Sequence, residues 1–267
     1  MMTNPSLPPI EIVPGPERLR RILLTLSYDG TAYAGWQRQK NAVAVQQRVE
    51  EALFKLTGKT LTVTGASRTD AGVHALAQRA HFDTGSCIPP DKYPFALNTC
   101  LPRDIRVLEG VEVSRNFHAR FHAAGKRYTY RIHNAPHASA LYRCLTAHVP
   151  TPLDVRAMER SLSAVLGPHD FAAFQAAGGT AKTTLRTLTR AALFQEGDAI
   201  ILTVEGNAFL YNMVRIIAGT LIEIGQGRLP ETAFARALET GNRLDLGSTA
   251  PACGLELTRV FYPGDLR

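Results

Sequence analysis

In the first half of the chain, short apolar runs alternate with stretches in which apolar residues recur at helical spacing. Residues 22–28 are mostly apolar and end at the turn pair Asp29 and Gly30, which predicts a buried strand. Between residues 45 and 56 the apolar positions repeat every three or four residues and Gly58 follows, which predicts a helix. The same criteria predict strands over 60–66, 78–84 and 105–113 and a helix over 91–98. This β-α-β-β-α-β order is that of a ferredoxin-like sandwich.

The second half shows the same mixture of strand and helix patterns. Within residues 126–133, polar residues (Arg127, Thr129, Arg131) alternate with apolar ones (Tyr128, Tyr130, Ile132), as expected of a strand with one buried face. Gly197 and Asp198 separate two strand-like runs, which predicts a hairpin. Apolar residues at helical spacing predict a long helix over 209–224. The other predicted elements are strands over 185–194, 200–205 and 254–262 and helices over 153–166 and from 230 to just before Gly241.

These patterns predict an α+β protein with mainly antiparallel sheets. A chain of 267 residues can form one large domain or two modest ones. We predict a flexible, proline-rich N-terminal tail over 1–20, an N-terminal α/β domain over 21–115 and a C-terminal α/β domain over 116–267. Because the second half repeats the element types of the first, the two halves are expected to be pseudo-symmetric.

Composition favours a cytoplasmic protein without a metal site. No apolar run reaches the length of a membrane span, and the proline-rich N-terminus does not read as a secretory signal. The four cysteines are far apart and form no CxxC pair, so reduced thiols are expected. Histidines four residues apart occur twice, but neither pair encloses the glutamate of a metalloprotease motif, and no metal is predicted.

Cations and aromatic residues are interleaved in a basic chain, whose formal net charge is +7. The cations are Arg18, Arg20, Arg21, Arg38, Lys40, Arg120, Lys126, Arg127 and Arg131. The aromatic residues among them are Tyr33, Trp36, Phe117, Phe121, Tyr128 and Tyr130. Such mixing suits a polyanion with exposed bases, because cations meet phosphates and rings stack on bases. Trp36 either packs beneath a loop or faces RNA, and we favour the second interpretation.

A loop over residues 67–72 connects two predicted strands and carries a single carboxylate, that of Asp70. An aspartate in a turn commonly bonds its own backbone, and that is one interpretation of Asp70. The other is catalysis, since loops on rigid scaffolds often carry chemistry. His74 and His81, which follow the loop, are predicted to be structural rather than general acids.

The nine residues Ser67-Arg-Thr-Asp-Ala-Gly-Val-His-Ala75 resemble the signature of the TruA family of tRNA pseudouridine synthases. Four further stretches resemble this family in the same order: 28–39, 117–130, 209–216 and 250–257. Together they extend the resemblance over about residues 22–262. Two departures from the family pattern occur near 209–216, where Tyr211 and Asn212 replace a His-His pair and Ile216 replaces a common Asn.

The resemblance implies a pseudouridine synthase fold, in which two ferredoxin-like halves meet at a central cleft. It implies isomerisation of uridine to pseudouridine in the anticodon stem-loop of tRNA, at positions 38–40, with Asp70 as the catalytic residue. It implies no cofactor, tRNA as partner, and a homodimer. Tyr128 matches the residue that packs on the uracil, and Arg215 matches an active-site arginine that we predict to pair with Asp70.

Several alternatives remain open from the sequence. Arg68 either contacts a phosphate or helps to hold the flipped-out site open, or it is an ordinary surface arginine. Tyr128 could be an ordinary inward-facing strand residue, which is the interpretation that the residues alone favour. Arg215 could instead extend its charged end to solvent along its own stem. An RNA chaperone with an inactive site is one rival function. A nucleoside or glycoside hydrolase is another, although glycosidases generally use two carboxylates and this loop offers one.

Overall fold

The computed structural model describes residues 19–263. The predicted flexible tail lies outside these residues, apart from Leu19 and Arg20. The chain divides into two compact units. Unit 1 comprises the residues up to Ala124 together with those from Leu257 onward, and unit 2 comprises Gly125–Glu256.

Unit 1 has the predicted β-α-β-β-α-β order. Its elements are β1 (Arg20–Tyr28), α1 (Val45–Thr57), β2 (Thr64–Gly65), β3 (His74–Thr84), α2 (Tyr93–Cys100) and β4 (Ile105–Val113). Strand β1 lies between β3 and β4, and β2 pairs with β3, with every one of these pairings antiparallel. The closing strand β10 (Leu255–Phe261) also lies beside β3.

The central position of β1 explains its sequence. Ile22, Leu23, Leu24 and Leu26 are completely buried. Neighbouring residues of a strand point to opposite faces, so both faces of the sheet are covered here. A continuous apolar run, rather than an alternating one, is what a strand in this position requires.

Unit 2 also combines strands and helices, but in a different order from unit 1. Its elements are β5 (Gly125–His133), β6 (Ala147–His148), α3 (Val155–Ser161), β7 (Gly167–Asp170), β8 (Leu185–Glu196), β9 (Ala199–Gly206), α4 (Met213–Gly225) and α5 (Ala233–Thr240). The strands β5, β9, β8 and β7 form an antiparallel sheet in that order, and α3 packs against α4. The predicted hairpin at Gly197 and Asp198 is confirmed, since Glu196 pairs with Ala199. The prediction of an α+β fold with mainly antiparallel sheets is therefore confirmed.

Two predicted elements are shorter in the structure. Strand 60–66 is reduced to β2 because side chains of α1 occupy the backbone groups of Val63. Glu50 Oε1 accepts from Val63 N at 3.1 Å, and Gln46 Nε2 donates to Val63 O at 3.0 Å. Helix 209–224 begins only at Met213, because Asn212 has a left-handed backbone with φ of 60° that interrupts it.

The predicted helix over 153–166 has two parts. Asp154 caps the N-terminus of α3 by accepting from Ala157 N at 3.0 Å, and a 3-10 turn, Leu162–Val165, follows α3 directly. Among residues 19–263, no helix combines the length and apolar character that a membrane crossing requires.

Candidate active site

The loop that carries Asp70 is attached to β3 at its beginning. Ala66 N donates to Arg79 O at 2.7 Å. The side-chain amide of Gln78 then holds Ser67 at two points, donating to Ser67 O at 2.7 Å and accepting from Ser67 N at 3.2 Å. Gln78 is completely buried. An amide side chain thus continues the strand pairing for one more residue and sets the direction in which the loop leaves the sheet.

Thr69, the residue before Asp70, is fixed by its backbone and by its side chain. Trp36 N donates to Thr69 O at 3.1 Å, and the hydroxyls of Tyr28 and Thr69 lie 2.8 Å apart in a hydrogen bond. Both partners belong to the stretch that ends β1 and follows it. The peptide that leads into Asp70 is therefore held on a second side, independently of β3.

Asp70 begins a tight turn. Val73 N donates to Asp70 O at 3.1 Å, and Gly72, the third residue of the turn, has φ of 77°. This is the conformation that favours glycine in a type II turn. Gly72 N also donates to Tyr33 O at 3.2 Å. The backbone of Asp70 is fixed by this turn, and its side chain is half-buried.

Gly35 allows the stretch after β1, which includes Trp36, to approach the Asp70 loop closely. It has φ of 87°, and a Cβ at this position would overlap Thr69 O and contact the backbone of Asp70. Only glycine combines this backbone conformation with this close approach. The position of the Asp70 peptide therefore depends on steric packing as well as on hydrogen bonds.

Trp36 is a support for this loop and not a contact surface. Its side chain is 1% exposed, its ring centroid lies 6.0 Å from that of Tyr28, and its indole packs on Gly65. The interpretation of Trp36 as an RNA-facing residue is therefore wrong. An aromatic ring fills the space beneath the loop because a rigid loop needs a packed base.

His74 and His81 both hold backbone groups of unit 1. His74 Nδ1 accepts from Gly30 N at 3.1 Å, and His81 Nδ1 accepts from Ala119 N at 3.2 Å. Both rings are at most 5% exposed. Burial, assisted by the nearby Arg21 cation, lowers the pKa of His81 to about 4, so its imidazole is neutral at pH 7. These contacts give both histidines the structural role that was predicted.

Arg68 precedes Thr69 and its residue is exposed. Exposure is compatible with a phosphate contact and with an ordinary surface arginine, so both interpretations of Arg68 stand.

Tyr128 lies on β5 in unit 2, where it pairs with Val204 of β9. Its side chain is 6% exposed and meets the ring of Phe209 edge to face, with centroids 5.0 Å apart. Phe209 was not predicted as a site residue. It is the first residue of the stretch 209–216 that resembles the family, and this was the available signal.

Arg215 lies on the first turn of α4 and is held by two bonds within unit 2. Its Nε donates to Ala250 O at 2.8 Å, and its Nη1 donates to Asn212 Oδ1 at 2.8 Å. The alternative in which the side chain simply extends to solvent is therefore wrong. Asn212 was not predicted to have this role. Asparagine tolerates the left-handed conformation, and here that conformation begins the helix and presents the amide to Arg215.

Five of the six aromatic residues found among cations belong to the core. Tyr33, Trp36, Phe117, Tyr128 and Tyr130 are each at most 7% exposed, whereas Phe121 is 75% exposed. The alternation of rings and cations arises because buried and exposed faces alternate along strands and loops. Of these six rings, that of Phe121 is the most exposed.

Among the described residues, no group of three or more His, Cys, Asp or Glu side chains is placed to hold a metal ion. Cys87, Cys100 and Cys144 are free thiols, and Cys253 Sγ donates to Thr146 O at 3.4 Å.

Comparison with known proteins gives the class of this chain. A family model described as tRNA pseudouridine synthase matches residues 25–122 and 162–263, so the chain belongs to the tRNA pseudouridine synthase family, a family of enzymes. These two ranges include Asp70 and Arg215.

Curated relatives identify the branch of the family. The tRNA pseudouridine synthase A of Acetivibrio thermocellus is 48% identical over 244 residues, which cover 91% of this chain and 100% of the relative. That of Ruminiclostridium cellulolyticum is 49% identical over 245 residues, again 91% and 100%. That of Halalkalibacterium halodurans is 46% identical over 238 residues, 89% of this chain and 90% of the relative. The predicted resemblance to the TruA family is confirmed.

Among solved structures, the crystal structure of a Cbf5-Nop10-Gar1 complex matches 92% of this chain and 60% of the matched chain. Its identity is 12% and its TM-score 0.33. A likeness of this size carries no argument about fold or function.

Proposed function

We propose that this protein converts uridine to pseudouridine in the anticodon stem-loop of tRNA, at positions 38–40, with Asp70 as the catalytic residue. The observation that carries the proposal is one carboxylate at the start of a turn whose backbone is held by β3, by β1 and by the stretch that includes Gly35 and Trp36. Membership of the family supports the reaction class. The resemblance of the loop supports the role of Asp70.

The reaction breaks the bond between uracil N1 and ribose C1′ and joins C5 to C1′. The proton that leaves C5 is balanced by one gained at N1, so the change is an isomerisation. It needs neither an oxidant nor a group donor. Cleavage leaves positive or glycal character at C1′, and one carboxylate can serve this step as nucleophile or as stabiliser of charge. A single aspartate is therefore a sufficient chemical group for the reaction.

The target uridine must leave its stack to reach the carboxylate, and the detached base must be held while it turns. We assign the holding of the uracil to Tyr128. Its contact with Phe209 fixes the ring, and a fixed ring loses little conformational entropy when a base packs on it. We assign to Arg68 a contact with the RNA backbone beside the flipped nucleotide.

We further propose that Arg215 forms an ion pair with Asp70 and keeps its carboxylate ionised. A guanidinium has more N–H donors than the two that bind Ala250 and Asn212, so it can also bind a carboxylate. Lysine has one nitrogen and cannot reproduce this fork.

The pairing can be tested by chemical rescue of Arg215→Ala. The variant should lose turnover, and guanidinium ions at millimolar concentration should restore part of it, whereas sodium chloride at equal ionic strength should not. Equal effects of the two salts would contradict a role for the guanidinium at the carboxylate. Arg215→Lys should remain well below wild type.

The proposed function is tested by mapping pseudouridine in total tRNA from cells with and without the gene. Loss at positions 38–40, restored by the wild-type gene, is the expected result. Unchanged pseudouridine would contradict the function. Purified protein that releases free uracil from tRNA would indicate a hydrolase instead, and tRNA binding with no base change would indicate a chaperone. The expected homodimer can be checked on the same protein by light scattering.

A further inference from the structure

The segment after β4 presents an aromatic ring to solvent. Phe121 is 75% exposed, in contrast to Phe117 of the same segment, which is 1% exposed. The ring of His118 stacks on Phe121, with centroids 4.2 Å apart and planes at 29°. The guanidinium of Arg120 lies 6.0 Å from the centre of the Phe121 ring. The exposed Phe121 ring thus packs on the imidazole of His118 and has the cation of Arg120 nearby.

The backbone of this segment is held by three imidazoles. His118 Nδ1 accepts from Arg120 N at 3.1 Å and from Phe121 N at 3.3 Å. His122 Nδ1 accepts from His118 N at 2.8 Å, and His81 Nδ1 accepts from Ala119 N at 3.2 Å. Each of the residues 118–121 therefore has its N–H bound by a histidine. The exposed ring is fixed in place before any partner arrives.

The groups around His118 keep its imidazole neutral, as the hydrogen bonds accepted by its Nδ1 require. Burial, together with the nearby cations of Arg21 and Arg120 and the ring of His122, lowers the pKa of His118. The imidazole is therefore neutral at pH 7, and its Nδ1 is an acceptor.

The surroundings of the ring are cationic. Arg120 is exposed beside the Phe121 ring, and the charge of Arg21 acts on the His118 imidazole that stacks on this ring. The carboxylate of Asp83 is engaged by Arg21 through two bonds of 2.7 Å each. A fixed, exposed ring among cations has the features of a site for single-stranded nucleic acid, in which bases stack on rings and cations bind phosphates.

We propose that Phe121, stacked on His118, is a docking platform for an unpaired nucleobase of the RNA substrate, with Arg120 contacting the neighbouring phosphate. The proposal rests on the proposed function for the identity of the substrate. It adds a contact distinct from the target uridine. The platform contributes to binding and not to the chemical step, because none of its side chains takes part in the reaction at C1′.

The chain provides a matched control in Phe95. It lies on α2 of the same unit, is 72% exposed and has the ammonium of Lys92 5.6 Å from its ring centre. Phe95 thus shares exposure and a neighbouring cation with Phe121 but does not stack on a histidine. Both residues can be replaced by alanine without opening a core cavity.

The first test compares Phe121→Ala and Phe95→Ala in tRNA binding and in turnover. Phe121→Ala should raise the Kd for tRNA about tenfold, the order found for loss of one base stack, with kcat close to wild type. Phe95→Ala should change neither. An unchanged Kd for Phe121→Ala would overturn the proposal, and so would equal losses in the two variants. A change of oligomeric state with unchanged tRNA affinity would assign the ring to a protein contact and would also overturn it.

The second test uses fluorescence and does not depend on catalysis. Trp36 is the one tryptophan of the chain and is buried, so the emission of Phe121→Trp can be separated from it. Stacking of a base should quench the new emission when tRNA is added, whereas Phe95→Trp should remain unquenched. Absence of quenching at position 121 would overturn the platform. Pseudouridine mapping would still decide the proposed function independently.

Discussion

The loop around Asp70 precedes β3 and the segment around Phe121 follows β4, and both are fixed by side chains, but by different means. The Asp70 loop is held by an amide, by hydroxyls and by the close packing of Gly35 against Thr69 O. The Phe121 segment is held by the Nδ1 atoms of imidazoles. The groups that hold the Asp70 loop do not titrate near neutral pH, whereas the groups that hold the Phe121 segment are histidines that must be neutral.

The two segments also differ in what they present. The Asp70 loop carries the group assigned to the chemical step, and Asp70 itself is half-buried. The Phe121 segment carries an exposed ring assigned to binding. Changes in the support of the first should therefore appear in kcat, and changes in the second should appear in Kd.

Among changes to the supporting residues, the largest effect is expected from breaking the steric support with Gly35→Ala. The matched control is Gly58→Ala, because Gly58 has a similar φ of 68° but no atom within 4 Å of an added Cβ. Backbone strain should destabilise both variants by about 1–2 kcal/mol. Overlap with Thr69 O should cost Gly35→Ala about 1–3 kcal/mol more, measured by urea unfolding.

Displacement of the Asp70 peptide should also lower the kcat of Gly35→Ala about 100-fold, because reacting groups misplaced by about 1 Å lose that much rate. Gly58→Ala should keep the wild-type kcat. Equal stability losses in the two variants, or a normal kcat in Gly35→Ala, would show that close packing does not position Asp70.

The next prediction concerns His81 and the pH dependence of the free energy of unfolding. The pKa of His81 is about 4 in the folded protein and about 6.5 when unfolded, so the unfolded state binds more protons between these values. The stabilisation from neutral His81 is therefore complete above pH 6.5 and is lost as the pH falls toward 4. Wild type should lose about 2–3 kcal/mol of unfolding free energy over this range through His81.

His81→Asn supplies the comparison for that experiment, since it keeps an acceptor for Ala119 N but does not titrate. The free energy of unfolding of this variant should fall less steeply with decreasing pH than that of wild type. Parallel curves for the two proteins would mean that His81 is not the pH-dependent support of the segment.

The order of the elements and the loop could be predicted from the sequence because they depend on local patterns. The run at 22–28, the spacing at 45–56 and the pair Gly197 and Asp198 each specify an element through neighbouring residues alone. Strand 60–66 could not be predicted correctly, because Glu50 and Gln46 of α1 take the backbone bonds of Val63. Such competition appears only when the helix is packed.

Burial of aromatic rings was the part of the candidate site that the sequence could not specify. Trp36 and Phe121 both stand next to cations in the chain, yet one is 1% and the other 75% exposed. The difference arises from long-range partners, Tyr28 and Gly65 beneath Trp36 and His118 against Phe121. A mixture of cations and aromatic residues in the sequence therefore indicates a nucleic-acid surface only when buried aromatic residues are left out.

The smallest effect among these predictions concerns Tyr128, the buried counterpart of Phe121. Tyr128→Phe keeps the face that packs on the uracil and its contact with Phe209, so tRNA affinity should stay near wild type, with a modest loss of rate. Tyr128→Ala should be at least about tenfold worse in kcat/KM, the order of one lost stack. Equal losses for Phe and Ala would contradict a stacking role.

The central claim is that the charge of Asp70 serves the chemical step. Asp70→Asn preserves size and most hydrogen bonding but removes the negative charge, and it should be assayed for pseudouridine formation and for tRNA binding on the same preparation. The account predicts turnover below detection with a Kd close to wild type, because the charge stabilises the transition state and not the bound substrate. Turnover within about tenfold of wild type would contradict the assignment of Asp70 as the catalytic residue.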